Sequence, residues 1–207
     1  MILGFAHLAI NCGDLAQAEA EWRALGYARG ALHQGVPNHP AKRAFSSHYQ
    51  PEHDLLLLNG PGLWPLELTC HGPTQGENRQ LAWTREAITL TLADPEPMRR
   101  LLIDGLGFRA SDNGVLALDC RLPTWSCRLH PRTGESEPVR LDAAGPTCLA
   151  FYCNRVEEDA QRLLGLGASD YSGVFDLTLG ERAMSIAMLR APGGPLLELI
   201  SPRTQTP

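Results

Sequence analysis

Four residues of metal-ligating type stand in two copies of one pattern. His7 lies in Gly4-Phe5-Ala6-His7-Leu8-Ala9-Ile10, and Glu67 follows in Pro65-Leu66-Glu67-Leu68. Cys148 lies in Gly145-Pro146-Thr147-Cys148-Leu149-Ala150-Phe151, and Glu198 follows in Pro195-Leu196-Leu197-Glu198-Leu199. A unit that opens on an imidazole or thiol, closes on a carboxylate and occurs twice suggests a metal cup built from two related halves. One imidazole and two carboxylates suit iron(II), manganese, zinc or nickel, with positions left open for a substrate. Such a site can polarise a carbonyl or hydroxyl oxygen as a Lewis acid. Strand alternation puts His7, Ala9 and Asn11 on one face and Leu8 and Ile10 on the other, and it turns Glu67 and Glu198 away from their flanking leucines. On a solvent face such a glutamate is unremarkable. Inside a half-closed cup it needs a cation or a proton.

The elements that must position these residues repeat with them. Gly26 lies nineteen residues after His7 and Gly167 nineteen after Cys148, so one offset of 141 aligns strand, helix and stop signal. A weaker third copy has a strand at 87–92 and a helix from Asp94 to Gly105 or Gly107. A repeat of this kind outranks local pattern in deciding the fold. Each copy reads as strand, helix, then three strands. In the first, Asp14 with Gln17 forms an N-cap and capping box, and Leu15, Ala18, Trp22 and Leu25 form the apolar stripe of a helix over 15–25. In the last, Asn154 with Glu157 repeats the cap, Val156, Ala160, Leu163 and Leu164 repeat the stripe, and Gly165 with Gly167 supplies the stop. In the middle copy Asp94 is the cap and Pro95 the first helical residue. Strands are expected at 54–58 and 63–69, at 115–120 and 125–129, and at 175–179, 183–189 and 195–200. The modules span 1–72, 85–131 and 144–202, with linkers over 72–84 and 132–144.

Composition bounds the function. At 207 residues and 43% hydrophobic content the chain can bury a core. A net charge of -5, a pI near 5.8 and no block of Lys or Arg argue against nucleic acid or an anionic membrane as partner, leaving a small molecule. No apolar run approaches a membrane span, and the start of the chain lacks a signal-peptide pattern, so a soluble cytoplasmic protein is expected. The six cysteines include no Cys-x-x-Cys pair and are expected as packed thiols without disulfides. No phosphate-binding glycine loop, Gly-x-Ser-x-Gly elbow or His-Glu-x-x-His helix is present.

The repeated strand-helix-strand-strand-strand pattern, with His-Leu-Ala-Ile in the first strand and Pro-Leu-Glu-Leu in the last, resembles the vicinal oxygen chelate superfamily. That superfamily includes glyoxalases, extradiol dioxygenases, methylmalonyl-CoA epimerases and bleomycin resistance proteins. The resemblance implies an α+β fold whose βαβββ modules form a cup-shaped mixed sheet with helices outside. It also implies His7, Glu67 and Glu198 as metal ligands, with Cys148 where a second His often stands. Thiol packing is the other reading of Cys148. The middle copy is degenerate, with Ile88 and Cys127 at the positions of His and Glu. The first and third modules are therefore expected to make the cup. The module left over has an open sheet edge, which a homodimer would cover.

The implied activity is that of a lyase, isomerase or dioxygenase using a divalent ion (iron, manganese, nickel or zinc) on a small molecule that chelates through adjacent oxygens. Glu198 would then detach as the catalytic base. The alternative is a metal-free binding or sequestration protein of the bleomycin-resistance type. The segment 33–53 holds four of the seven histidines and reads either as a lid offering Lys42, Arg43, His48 and Tyr49 to the substrate or as a polar surface loop. Trp22 and Trp64 are expected in the core. Arg182 and Arg190 have no visible partner.

Overall fold

The computed structural model describes residues 1–74, 76–84, 87–119, 124–134 and 137–203. The first module comprises β1 (Ile2–Asn11), α1 (Leu15–Ala24), β2 (Ala28–Pro37), a 3-10 helix (Pro40–Phe45), β3 (Glu52–Asn59) and β4 (Leu66–Cys70). After β5 (Leu81–Trp83) come β6 (Ile88–Leu92), α2 (Glu96–Arg100) continuing into a π-turn (Leu101–Gly105), β7 (Arg109–Ala110), β8 (Leu116–Asp119) and β9 (Thr124–Pro131). The last module is β10 (Gly145–Cys153), α3 (Val156–Gly165), β11 (Val174–Leu179), β12 (Arg182–Arg190) and β13 (Leu196–Pro202). Cys120, at the end of one expected strand, and Glu135 and Ser136, in the second linker, lie outside the described residues.

Local chemistry accounts for the helix starts. The Asp14 carboxylate accepts the N–H groups of Ala16 and Gln17 at 2.8 and 3.0 Å. The Gln17 amide donates to Glu21 instead of closing the box. Asp94 accepts the N–H of Glu96, while Pro95 holds the cap position itself. The cap expected at Asn154 falls instead on Arg155, which makes no side-chain cap bond. Asn154 still extends strand pairing through its N–H to the Met1 carbonyl, and Glu157, Glu158 and Asp159 place negative charge on the helix start in place of a cap. The segment 33–53 is neither one loop nor irregular. Its ends belong to β2 and β3, and its middle carries the 3-10 helix. The linker 72–84 likewise carries β5.

All three modules share one topology. The first strand runs parallel to the last, the last pairs antiparallel with the third, and the third antiparallel with the second. β1 pairs antiparallel with β10, which joins the first and third modules into an eight-stranded sheet of order β11-β12-β13-β10-β1-β4-β3-β2. At this seam His7 faces Ala150 and Ala9 faces Cys148, the pairing a local two-fold relation between modules requires. The middle module forms a separate five-stranded sheet, β5-β6-β9-β8-β7, in which β5 takes on β6 the place that β10 takes on β1. The protein is an α+β fold of βαβββ modules.

The two faces of the large sheet have different tasks. Its outer face, with Phe5, Leu8, Leu66 and Leu197, packs against α1, α3 and the small sheet in one cluster. At the centre of that cluster Phe5, Trp64 and Trp125 meet with ring centroids 4.2–5.1 Å apart. Trp22 is only partly buried and stacks on Trp83 at 4.9 Å. Strict alternation would put Phe5 on the face of His7. An irregularity in register against β10 between Phe5 and His7 separates them, sending Phe5 into the outer core and turning Ala6 and His7 to the concave side.

Candidate functional site

The concave face holds a cavity of about 410 Å³. Its floor is set by strand register. Ala9 lies beside Glu67 on β4, and Ala150 lies between His7 on β1 and Glu198 on β13. His7 Nε2 stands 3.7 Å from Glu67 Oε2 and 3.5 Å from Glu198 Oε2, beyond hydrogen-bond length, so this buried nitrogen has no hydrogen-bond partner. Lys42 completes the group, with Nζ 4.0 Å from Glu198 Oε1.

Lys42 reaches the floor because the 3-10 helix is built into the cup. His39 stacks on Phe175 of β11 at 4.5 Å, and Phe45 is fully buried among Cys148, Met188 and Leu196. The Phe45 carbonyl accepts the N–H of Leu141 at 2.9 Å. Beyond it, the buried Asp142 carboxylate accepts the N–H groups of Ser47 and His48 at 2.9 and 2.6 Å. Asn38 ties the start of this strap to its end, its backbone N–H donating to the Pro51 carbonyl and its side chain to that of Gln50. Of the four residues expected to meet substrate, Lys42 alone lines the cavity. Arg43 lies over the Tyr49 ring at 4.7 Å on the exposed side, Tyr49 donates its hydroxyl to the Asn38 carbonyl, and His48 is exposed.

Cys148 belongs to the apolar cluster around Phe45 and does not line the cavity. Burial, and then the charge of Glu198, push its thiol well above the ordinary value, which keeps it neutral. Its surroundings are those of a packed thiol.

The floor is strongly coupled. Burial alone would lower the pKa of His7, but Glu67 and then Glu198 outweigh it and hold the imidazole above its ordinary value. Burial raises Glu67 and the pull of His7 does not offset it. Glu198, between His7 and Lys42, is held below the usual carboxylate value despite its burial. Two carboxylates on one floor are thus split, with Glu198 the better-held anion and Glu67 the stronger base.

Two features had little or no sequence signal. His53 and His71 stack at 4.7 Å with rings 12° apart, both buried and each with an unpartnered Nδ1, and His53 lines the cavity. The alternation of His53, Leu55 and Leu57 along β3 was the available sign for the first. Arg190 is a buried anchor, bound to Asp170 at 2.6 Å and to the carbonyls of Val139 and Gly194 at 2.9 Å. Its partners on different segments left no local pattern to read.

An imidazole and two carboxylates around an unpartnered nitrogen are a donor set of the right chemistry for a divalent ion. Among the described residues no three such side chains are already arranged as a closed coordination set. In this arrangement Lys42 places positive charge beside Glu198, and the pull of the two carboxylates outweighs burial to hold the His7 pKa above its ordinary value.

The sequence matches no protein-family model and no curated protein. Solved structures similar to the chain include glyoxalase I from Zea mays (14% identity, 97% of this chain and 69% of that one, TM-score 0.41). A putative dioxygenase from Bacillus subtilis subsp. subtilis str. 168 is 14% identical over 97% of this chain and 63% of that one, with a TM-score of 0.41. Methylmalonyl-CoA epimerase from Mycobacterium tuberculosis is 16% identical over 99% of this chain and 91% of that one, with a TM-score of 0.43. At these identities the likeness carries neither an activity nor a substrate across.

Proposed function

We propose that the protein is a metal-dependent enzyme of the glyoxalase and dioxygenase type, a lyase, isomerase or dioxygenase acting on a small molecule that chelates through adjacent oxygens. The observation that carries this reading is the buried, unpartnered Nε2 of His7 between the two buried carboxylates on the cavity floor. His7, Glu67 and Glu198 would hold iron, manganese, nickel or zinc. When bound, the ion would polarise a substrate oxygen.

The chain's own groups have distinct tasks in this reading. Glu198 is held as an anion by His7 and Lys42. One of the two carboxylates would detach as the base, Glu198 in the sequence reading, and Glu67, which burial holds above the usual carboxylate value, is the second candidate on the same floor. A homodimer in the cytoplasm, with no nucleic-acid or membrane partner, completes the proposal. Among the described residues no helix is long and apolar enough to cross a membrane.

Elemental analysis of protein purified without chelator tests the reading. Near-stoichiometric iron, manganese, nickel or zinc is expected, lost in His7→Ala and Glu67→Ala variants whose melting temperatures show them folded. No metal after reconstitution would sink the proposal and leave the metal-free binding protein.

A further inference from the structure

Above its polar floor the cavity has an apolar side made by Leu55, Leu57, Leu177, Met184, Ile186 and Ile200, while Glu181 and Arg182 are among its other lining residues. A ligand made only of oxygens would meet carbon on that side and lose hydrogen bonds to water without replacement. A molecule with an apolar body loses none there and removes hydrocarbon surface from water.

The floor adds a charge requirement. The two negative charges of Glu67 and Glu198 are what a divalent ion on them and His7 would cancel. The Lys42 ammonium, buried beside Glu198, would then be left without its counter-charge. The face of the Phe175 ring beside it, at 5.9 Å, supplies no anion. A buried cation of this kind is costly unless an anion is brought to it. The strap prevents the usual escape, because Phe45 and Asp142 fix the 3-10 helix and hold Lys42 toward the cavity.

We propose that the cup takes a monoanion with two adjacent oxygens at one end and an apolar body of several carbons at the other, as in an α-hydroxy or α-keto acid bearing an alkyl or aryl chain. The oxygens meet the floor of His7, Glu67 and Glu198, the negative charge lies on Lys42, and the body lies against the leucine and isoleucine walls. This deepens the metal-site reading and rests on it for the placing of the oxygens and for the charge demand at Lys42, whereas the demand for an apolar body comes from the walls alone.

The test is calorimetric titration of the full chain, metal-reconstituted and chelator-treated, with α-hydroxyoctanoate, lactate and the vicinal octanediol. All three carry adjacent oxygens; lactate lacks the body and the diol lacks the charge. α-Hydroxyoctanoate is expected to bind roughly 100-fold more tightly than lactate and about tenfold or more tightly than the diol. Lys42→Met should remove the second difference and keep the first, and Leu177→Gln should shrink the first, with thermal melting reporting that each variant folds. Equal affinity for the acid and lactate, or for the acid and the diol, overturns the inference on the unmodified protein alone. So does the absence of binding by all three in both forms. Metal held without any preference among the three overturns this inference and spares the metal site. Failure to hold metal in either form sinks the metal site and overturns the charge part of the inference with it.

Discussion

At the scale of single residues Lys42 lowers His7, His53 and His71 alike, and the carboxylates Glu67 and Glu198 decide that His7 alone of the three ends above its ordinary value. His53 is pushed down to about 2 and His71 to about 4 by burial first and then by Lys42. Both are neutral in the folded protein well below the pH at which an unfolded histidine takes up a proton. The unfolded chain therefore binds more protons between about pH 4 and 6.5, so stability rises with pH across that window and is lost on acidification. His71 alone accounts for about 3 kcal/mol of this dependence. His7 has the opposite sign. Held above its ordinary value, it contributes stability that is in full below about pH 6.5 and fades as pH rises through its folded value. Urea unfolding at about pH 7, 5.5 and 4 should show stability falling toward acid, and His71→Gln should flatten the fall by about 3 kcal/mol. An unchanged slope in the variant would show that His71 is not the residue responsible.

At the scale of elements the strap decides whether the site is complete. Its amino acids read as a polar stretch, yet its middle is a 3-10 helix whose Phe45 fills the cluster beneath the floor. A fully buried phenylalanine there anchors the short helix that carries Lys42. Asp142 holds the far end through two charge-assisted hydrogen bonds to backbone N–H groups. Replacing it by alanine leaves Ser47 and His48 without that acceptor and is expected to cost about 2–4 kcal/mol. Native-state hydrogen exchange in Asp142→Ala should show faster exchange confined to residues 38–50, with β1 and β10 unchanged. Uniform loss of protection across the large sheet would mean that Asp142 supports the whole fold and not the strap. The irregularity in β1 is the second element-scale device, since without it Phe5 and His7 would compete for one face.

At the scale of the molecule the small sheet serves as a backing plate. Trp125 of β9 meets Phe5 and Trp64 on the outer face of the large sheet, directly behind the strand that carries His7. Trp125→Ala is expected to cost about 3–5 kcal/mol, because the cavity it leaves lies in a cluster common to both sheets. Unfolding of the unmodified chain should be one transition, with tryptophan fluorescence and far-ultraviolet dichroism coinciding; two separated transitions would show the small sheet to be an independent unit. The repeat, the βαβββ pattern and the strand positions of His7, Glu67 and Glu198 were legible in the sequence, because hydrophobic period, caps and stop glycines act over a few residues. The helix cap at Asn154 was misread because strand pairing with Met1 overrides a local signal. Lys42 could be read as a candidate, but Arg43, His48 and Tyr49 could not be told from it, since they occupy the same polar stretch and only the burial of Phe45 decides which side chain turns inward. His53 with His71 and the anchorage of Arg190 depended on contacts between distant segments. The sequence by itself determined the modules and the strand faces that bear the donors, because those follow from local periodicity. Tertiary structure decided that β1 pairs with β10, that Phe5 is turned from the cup and that one lysine joins the floor, because each depends on packing between segments far apart in the chain.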